Sequence, residues 1–306
     1  MTPRLIALAA AVLLALVAVA CTDTGESYSG EPTVEATDRA RATAVAEAGT
    51  PTSSPTPSPT VVRPPGSPPL TRPLEELSAE AAGLIEYFFP ECCVGIAVFV
   101  PDEGVIYELN GDMRFEMASV AKVPLMLTLL AQAEEEERQL TADERELLAA
   151  MITLSDNEAA DAVYNLVGGP EPVYELFADA GVPDAQVAPA WGATTISAAD
   201  AARLMNGVIE GEVVSRPYLE IAMGLLENVA PYQAWGTANL PPGAESGVKN
   251  GWYLEASGWL VNSLGYVIPE DGPAYTVAVF TLGIDNYFTA LATVDSIAGH
   301  IHFAMR

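Results

Sequence analysis

Strand patterns in this sequence occur near the two ends of its folded part, and helical patterns fill the region between them. A segment with helical periodicity at 74–89 stops at Pro90, and helical patterns dominate from 119 to about 228. One of these helical segments opens with the capping box Thr141-Ala142-Asp143-Glu144. The strand-like runs lie near 93–100, 104–110, 245–250, 258–268 and 274–283. An amphipathic helix then closes the chain. Strands from both chain ends can share one sheet only if the chain returns on itself. We therefore expect an α+β fold, with one antiparallel sheet of about five strands, flanking helices and an all-helical subdomain.

Residues 1–21 have the pattern of an export signal. A charged start that includes Arg4 precedes the apolar run Leu5–Ala20, which ends in small residues directly before Cys21. This run is short for a membrane span, which needs roughly 20 apolar residues. The ending Ala-Val-Ala-Cys resembles a bacterial lipoprotein signal, so we expect lipidation of Cys21 after cleavage. Ordinary cleavage and a retained anchor are the alternatives. All three export the chain, either to the extracytoplasmic face of the cell membrane or as a secreted protein.

A linker is expected at residues 22–75. This stretch contains almost no aromatic or large aliphatic side chains, and its segment Pro51–Pro73 contains nine prolines. Such a composition cannot bury enough apolar area to offset its chain entropy, so we expect an extended, solvated segment. It would serve as a stalk or be simply a disordered tail. The working domain is then 76–306, the size of one large domain.

The charge of the chain excludes several classes of partner. Its 41 acidic residues against 13 Lys and Arg give a formal net charge of −28. Phosphate backbones and anionic lipid surfaces are repelled by such a chain. We expect no nucleic-acid partner and membrane contact only through the lipid anchor. Separately from the charge, we expect a monomeric protein. Only two of the basic residues are lysines, Lys122 and Lys249.

The cysteine and histidine content argues against metal chemistry. Cys92 and Cys93 are neighbours in sequence and could form only a strained disulfide ring, so we expect two reduced thiols. Both histidines, His300 and His302, lie in the closing helix. A zinc site or a histidine-based triad needs a richer set of ligands. We therefore expect no metal and no cofactor.

The first candidate motif for catalysis is Ser119-x-x-Lys122. Residues three apart share one face of a helix, so the lysine amine can approach the serine hydroxyl. A lysine whose pKa is lowered by burial or by a second cation can remove the proton from a serine nucleophile. An exposed pair of side chains on a helix is the alternative.

Two further motifs have simple local explanations when each is taken alone. Ser155-Asp156-Asn157 lies between two helical patterns, where it could form a turn with a helix N-cap at Asp156 or Asn157. Lys249-Asn250-Gly251 follows a predicted strand, and Asn-Gly is a strong hairpin-turn signal.

In combination and in this order, the three motifs resemble the signature of class A β-lactamases and penicillin-binding serine hydrolases. That signature is Ser-x-x-Lys, Ser-Asp-Asn and Lys-Thr-Gly. The resemblance covers roughly residues 85–306, and the order of predicted strands and helices fits the same family. It implies a β-lactamase/transpeptidase-like fold and a small-molecule β-lactam or a cell-wall peptide as substrate.

The resemblance assigns catalytic roles by position. Ser119 would be the acylated nucleophile, Lys122 its proton acceptor, and Ser155 would pass a proton to the leaving nitrogen. The oxyanion hole would consist of two backbone N–H groups, one from Ser119 and one near Trp252 or Tyr253.

It also assigns the groups that bind substrate. Asn157 would hydrogen-bond the amide side chain of the substrate, and Lys249 would keep positive potential over the pocket. Asn250 and Gly251 would border the substrate on the strand edge, beside Trp252. The amide of Asn250, which replaces the usual Thr or Ser, could donate to a substrate carboxylate.

Two departures from the family pattern concern recognition and turnover. No arginine lies between Arg216 and Arg306, so carboxylate recognition would rest heavily on Lys249. Class A β-lactamases carry a glutamate between the second and third motifs that activates the deacylating water. The matching stretch 182–195 contains only Asp184, and Glu171 and Glu175 precede it in a predicted helix. Acylation is therefore better supported than turnover.

Three functions remain open at this point. The leading one is a serine hydrolase of the β-lactamase type that opens a β-lactam or related amide through an acyl-Ser119 intermediate. The second is a penicillin-binding or D,D-peptidase-like protein that acts on a β-lactam or cell-wall peptide but deacylates slowly. The third is a lipoprotein that uses the fold as a non-catalytic binding module, which would have no need for both lysines.

Overall fold

The computed structural model describes residues 93–101, 103–239, 243–270 and 272–305. The predicted export signal, the linker and the helix at 74–89 lie outside the described residues, as does Cys92, and remain predictions. No helix in the described ranges has the length and apolarity that a membrane crossing requires.

One five-stranded antiparallel sheet is built from both ends of the domain, as the strand pattern predicted. Its strands in chain order are β1 Cys93–Val100, β2 Gly104–Leu109, β5 Ala244–Glu255, β6 Gly258–Pro269 and β7 Tyr275–Ile284. They lie side by side in the order β2, β1, β7, β6, β5. The strand β7 therefore joins the N-terminal hairpin to the C-terminal one, and β5 is an edge strand.

Side chains on the two faces of the central strands pack into two separate hydrophobic cores. Val277 and Val279 of β7 pack with Val294 and other apolar residues of the last helix, α7 Tyr287–Ala304. Ala278 and Phe280, on the opposite face of the same strand, pack with the helical subdomain. This period of two places the buried side chains of β7 alternately in one core and in the other.

The helical subdomain lies between the two halves of the sheet in sequence. Its helices are α1 Lys122–Glu135, α2 Ala142–Ala149, α3 Asn157–Leu166, α4 Pro170–Asp179, α5 Ala198–Glu210 and α6 Arg216–Glu227. Apolar residues surround α1, and its burial is nearly complete from Lys122 to Leu130. The N-terminus of this central helix therefore lies inside the protein.

A second, two-stranded sheet ties the start of α1 to a distant loop. β3 Arg114–Glu116 pairs with β4 Thr195–Ser197, and Met117 N donates to Thr194 O at 2.9 Å just beyond it. The segment before α1 and the loop that leads into β4 are thus held together by backbone hydrogen bonds.

The capping box predicted at the start of α2 is confirmed. Thr141 Oγ1 accepts from Glu144 N at 3.2 Å, and Glu144 Oε2 accepts from Thr141 N at 2.7 Å. We expect Thr141→Ala to lower the free energy of unfolding by about 1 kcal/mol, because the helix loses its N-cap acceptor. Ser215 precedes α6 without a side-chain cap bond, so Ser215→Ala is the matched control, with a change within about 0.5 kcal/mol. Urea denaturation checks both; equal losses would contradict the assignment.

Candidate active site

Ser119 lies in a tight turn that leads directly into the buried helix α1. The turn, Ala118–Ala121, is a 3-10 helix, in which side chains three residues apart are eclipsed. Ser119 and Lys122 are therefore brought together more directly than on the α-helix that the sequence predicted. Ala118, just before the serine, has a positive φ of 50°, which is strained for a residue with a side chain. Ser119 is partly exposed, whereas Lys122 is fully buried.

The amine of Lys122 is surrounded by four oxygen atoms. Its Nζ lies 2.6 Å from Ser155 O, 2.7 Å from Asn157 Oδ1, 3.1 Å from Ser155 Oγ and 3.2 Å from Ser119 Oγ. The first two are carbonyl oxygens, which can only accept hydrogen bonds. A neutral amine can donate its two hydrogens to them and keep its lone pair for a hydroxyl proton. The surroundings of Lys122 therefore suit a general base facing Ser119.

Burial makes the neutral form of this amine accessible. Desolvation lowers the pKa of Lys122 from its ordinary value to about 7, and the negative charges of Asp156 and Asp161 oppose only part of this shift. Near neutral pH, a large fraction of Lys122 is thus unprotonated and able to accept a proton.

A distortion of the backbone aims Ser155 at the same amine. The end of α2 widens into a single π-helical turn, Ala150–Leu154, a feature that is rare and frequent at functional sites. Ser155 then adopts the left-handed conformation, with φ 58°. Asp156 caps α3 by accepting from Ala159 N at 2.7 Å. The N-cap predicted for this triplet is present, and the same turn presents both Ser155 oxygens and Asn157 to Lys122.

The second lysine approaches Ser155 from the sheet. Lys249, on β5, is completely buried, and its Nζ donates to Asn250 O at 2.7 Å and to Ser155 Oγ at 3.0 Å. Gln233 Oε1 lies at 3.4 Å. Desolvation, with the charge of Lys122 as a second cause, lowers the pKa of Lys249 well below its ordinary value. The hydroxyl of Ser155 therefore bridges the two amines and can pass a proton between them.

The Lys249-Asn250-Gly251 motif lies within a strand and does not form the hairpin turn that Asn-Gly suggested as an alternative. These residues pair with Leu264, Ser263 and Asn262 of β6, and the hairpin between the strands turns after Glu255. The sequence prediction ended this strand too early, because Asn-Gly is a local turn signal whereas pairing with β6 is a long-range constraint.

The alternation of side chains along β5 corrects the role predicted for Asn250. Its side chain lies on the opposite face of the strand from Lys249, and it is buried. Its Nδ2 donates to Gln233 O at 2.8 Å and to Trp235 O at 3.1 Å. Donation to a substrate carboxylate is therefore not supported, since this amide secures the loop behind the strand. Trp252 points the same way and packs against Trp235, so only its backbone can border a substrate.

Gly251 allows the strand to reach the nucleophile turn. A Cβ atom at this position would lie 2.7 Å from Ser119 N and 2.9 Å from both Met117 O and Val120 N. These are backbone atoms, which cannot move aside as a flexible side chain would. The absence of a side chain at Gly251 is thus a condition for the contact between β5 and the turn.

Two aromatic features of the site had no signal in the sequence. The ring of Trp191, in the short turn Trp191–Ala193, lies with its centroid 5.1 Å from Lys122 Nζ. The hydroxyl of Tyr253 contacts the carboxylates of Glu116 and Glu255, and burial together with these carboxylates raises the pKa of Tyr253. The contacts of Trp191 with Lys122 and of Tyr253 with Glu116 could not be read from spacing, because these partners are far apart in the chain.

Comparison with known proteins supports the family seen in the motifs. A sequence model of the family described as beta-lactamase enzyme family matches residues 139–304, which begin after Ser119 and Lys122. No curated protein matches the sequence.

Solved structures share the fold at low identity. A class A beta-lactamase from Bacteroides cellulosilyticus superimposes with a TM-score of 0.64 and 20% identity, over 74% of this chain and 96% of that chain. A beta-lactamase from Sphaerobacter thermophilus gives 0.62 and 21%, over 72% and 94%. The structure of PBP-A gives 0.65 and 21%, over 77% and 97%. The predicted β-lactamase/transpeptidase-like fold is confirmed.

We expect both lysines to titrate far below the ordinary lysine range, because both are buried. Since the chain has only two lysines, labelling lysine Cε with carbon-13 gives two resonances. The titration midpoint of Lys122 should lie near pH 7, and the midpoint of Lys249 should also lie well below the ordinary pKa of a lysine side chain. Lys122→Met assigns the signals, and in concentrated urea both midpoints should return to about 10.4. A native Lys122 midpoint close to the urea value would contradict the proposed environment.

We expect Gly251→Ala to damage the site, because its methyl group collides with the backbone around Ser119. The loss in unfolding free energy should be about 1 to 3 kcal/mol. Gly224, within α6, has open space around its Cβ position, so Gly224→Ala is the matched control. That change should stabilise the protein by about 0.5 to 1 kcal/mol. Urea denaturation of both variants is the measurement; a neutral Gly251→Ala would show that the close contact is absent.

Proposed function

Because this chain belongs to the beta-lactamase enzyme family, we propose that it is a serine hydrolase that opens a β-lactam or a related amide through an acyl-Ser119 intermediate. The observation that supports this proposal most directly is the position of the buried Lys122 amine. Its Nζ lies 3.2 Å from Ser119 Oγ, and two carbonyl oxygens are positioned to accept its hydrogens. We further propose that the protein is exported and held at the membrane by a lipid on Cys21.

Acylation follows from these contacts in two proton transfers. Ser119 Oγ attacks the carbonyl carbon of the substrate, and its proton passes to Lys122 Nζ. The carbon–nitrogen bond then breaks, and the leaving nitrogen takes a proton from Ser155 Oγ. Lys122 and Lys249, at 3.1 and 3.0 Å from that oxygen, can each return a proton to it. The product of this half-reaction is an ester on Ser119.

Substrate recognition is proposed to use the mouth of the site. Asn157 is exposed, and its Oδ1 faces Lys122, which leaves the NH2 group of its amide for a substrate carbonyl. Lys249 supplies positive potential from a fully buried position and has no surface for direct contact. Backbone N–H groups of Ser119 and of β5 near Trp252 would stabilise the oxyanion.

A second candidate function is a penicillin-binding or D,D-peptidase-like protein that acylates and then releases its product slowly. The observation that favours it lies in the stretch 182–195, which contains no glutamate, and which places the indole of Trp191 next to Lys122. The two candidates share the acylation step and differ in how long the ester survives. A non-catalytic binding protein would form no ester.

We expect a labelled penicillin to form a covalent adduct on Ser119 of the purified protein. Ser119→Ala should abolish the label, while Ser215→Ala, a serine exchange at the start of α6, should leave it unchanged. Lys122→Ala should slow labelling by about 100-fold or more, because a general base contributes at least that much. Intact-protein mass spectrometry measures the adduct.

Colour change of a chromogenic cephalosporin then separates the two catalytic candidates. Continuous turnover identifies a hydrolase, and a single burst equal to the amount of protein identifies slow release. If neither an adduct nor a colour change is observed, the remaining explanations are a different substrate or a non-catalytic binding protein. A label that persists in Ser119→Ala would refute Ser119 as the nucleophile.

A further inference from the structure

Trp191 lies next to the candidate base and is held there by a specific hydrogen bond. Its Nε1 donates to Asp161 Oδ1 at 2.7 Å, and its ring centroid is 5.1 Å from Lys122 Nζ. Asp161 belongs to α3, whose N-terminus carries Asn157 of the site. The indole thus connects an exposed carboxylate on α3 with the fully buried amine of Lys122.

The loop that carries Trp191 is fixed on both sides. Gln186 and Thr195 form a pair of backbone hydrogen bonds of 2.9 and 3.0 Å, which closes the base of the loop. Ala188 N donates to Thr194 Oγ1 at 3.2 Å, and Thr194 O accepts from Met117 N at 2.9 Å. The position of the indole is therefore set by the fold, and it is tied to the segment that precedes Ser119.

Hydrolysis of an ester on Ser119 needs a base and a water molecule. The water oxygen bonds to the ester carbon, its proton passes to Lys122 Nζ, and the carbon–Oγ bond breaks as Ser119 Oγ recovers a proton from the same amine. Lys122 Nζ lies 3.2 Å from Ser119 Oγ, which places the amine to return that proton. Because the base is available, the access of water to the ester controls the rate of its hydrolysis.

An indole ring beside an amine limits this access. Its apolar face occupies space that water would otherwise fill, and it interacts favourably with the amine when that is protonated. Both effects occur only while the ring stays in place, which the bond to Asp161 favours.

We propose that Trp191 is a cover that prolongs the life of the acyl-enzyme by excluding water from the Lys122 side of the site, and that Asp161 latches this cover. This inference rests on the proposed acylation of Ser119 and specifies how long the ester lasts. Trp191 is a positioning residue here, since it acts through the solvent around Lys122.

A different role for Asp161 makes the opposite prediction. If this exposed carboxylate activated the deacylating water itself, its removal would lengthen the life of the ester. If it latches the cover, its removal shortens that life. The sign of the effect of Asp161→Asn therefore distinguishes the two roles.

The test is the decay of the Ser119 adduct after excess penicillin has been removed, followed by intact-protein mass spectrometry. We expect Trp191→Ala to shorten the half-life at least tenfold. Trp191→Phe, which keeps a ring but loses the bond to Asp161, and Asp161→Asn should each shorten it about two- to fivefold. Trp259→Phe, in the aromatic cluster around Tyr287, is the matched control and should leave the half-life unchanged. Unchanged or longer half-lives in Trp191→Ala, or a longer one in Asp161→Asn, would overturn the proposal.

A second measurement needs no substrate and keeps the proposal testable if Ser119 takes no label. Removal of the cover should admit water to Lys122, so the carbon-13 midpoint of Lys122 should rise in Trp191→Ala and stay in place in Trp259→Phe. A midpoint that does not rise would refute the cover, even in a folded protein with an intact label. If penicillin does not label the wild-type protein, by contrast, the proposed acylation is refuted. The titration of Lys122 then tests by itself whether Trp191 covers the amine. Far-ultraviolet circular dichroism confirms that each variant is folded.

Discussion

The burial of the Lys122 amine is the constraint on which the rest of the site depends. Removing an ammonium group from water costs several kcal/mol unless polar partners replace the solvent. Here four oxygen atoms from two separate segments surround Nζ, and its pKa falls to about 7. The strained turn at Ala118 and the left-handed Ser155 place these oxygens. Both distortions lie directly at the amine, which ties them to its chemistry.

The sheet contributes a second constraint through its period of two. Lys249 and Gly251 face the helical subdomain, and this alternation turns Asn250 and Trp252 towards α7 and its loops. One strand thereby delivers a buried amine to Ser155 and a bare backbone to the Ser119 turn. The ring of Trp191, from a third part of the chain, lies beside the amine of Lys122. The site is therefore an assembly of separate segments that only the folded domain brings together.

Features carried by local pattern could be predicted well. The five strands, the helical middle, the Thr141 capping box and the N-cap at Asp156 were all read from periodicity or short spacing. These features depend on interactions between residues that are close in the chain, so they can be recognised in the sequence directly. The extent of β5 was underestimated, because a local turn signal competes with pairing to a distant strand. The expected donation of Asn250 to a substrate carboxylate came from the family resemblance, which carries no information on the bonds of this amide to Gln233 O and Trp235 O.

The sequence by itself determined the order of strands and helices, the three motifs and the residue types able to perform acyl transfer. These features could be read from the sequence because the spacing of hydrophobic residues and the presence of reactive groups are properties of short segments. The tertiary structure decided which oxygens surround Lys122, that Ser155 bridges two lysines, and that Trp191 rather than a carboxylate lies beside the base. Apart from the contact between Lys122 and Ser119, these hydrogen bonds join residues 33 to 94 positions apart. Such distances are closed only by packing of the whole domain, which no local pattern encodes.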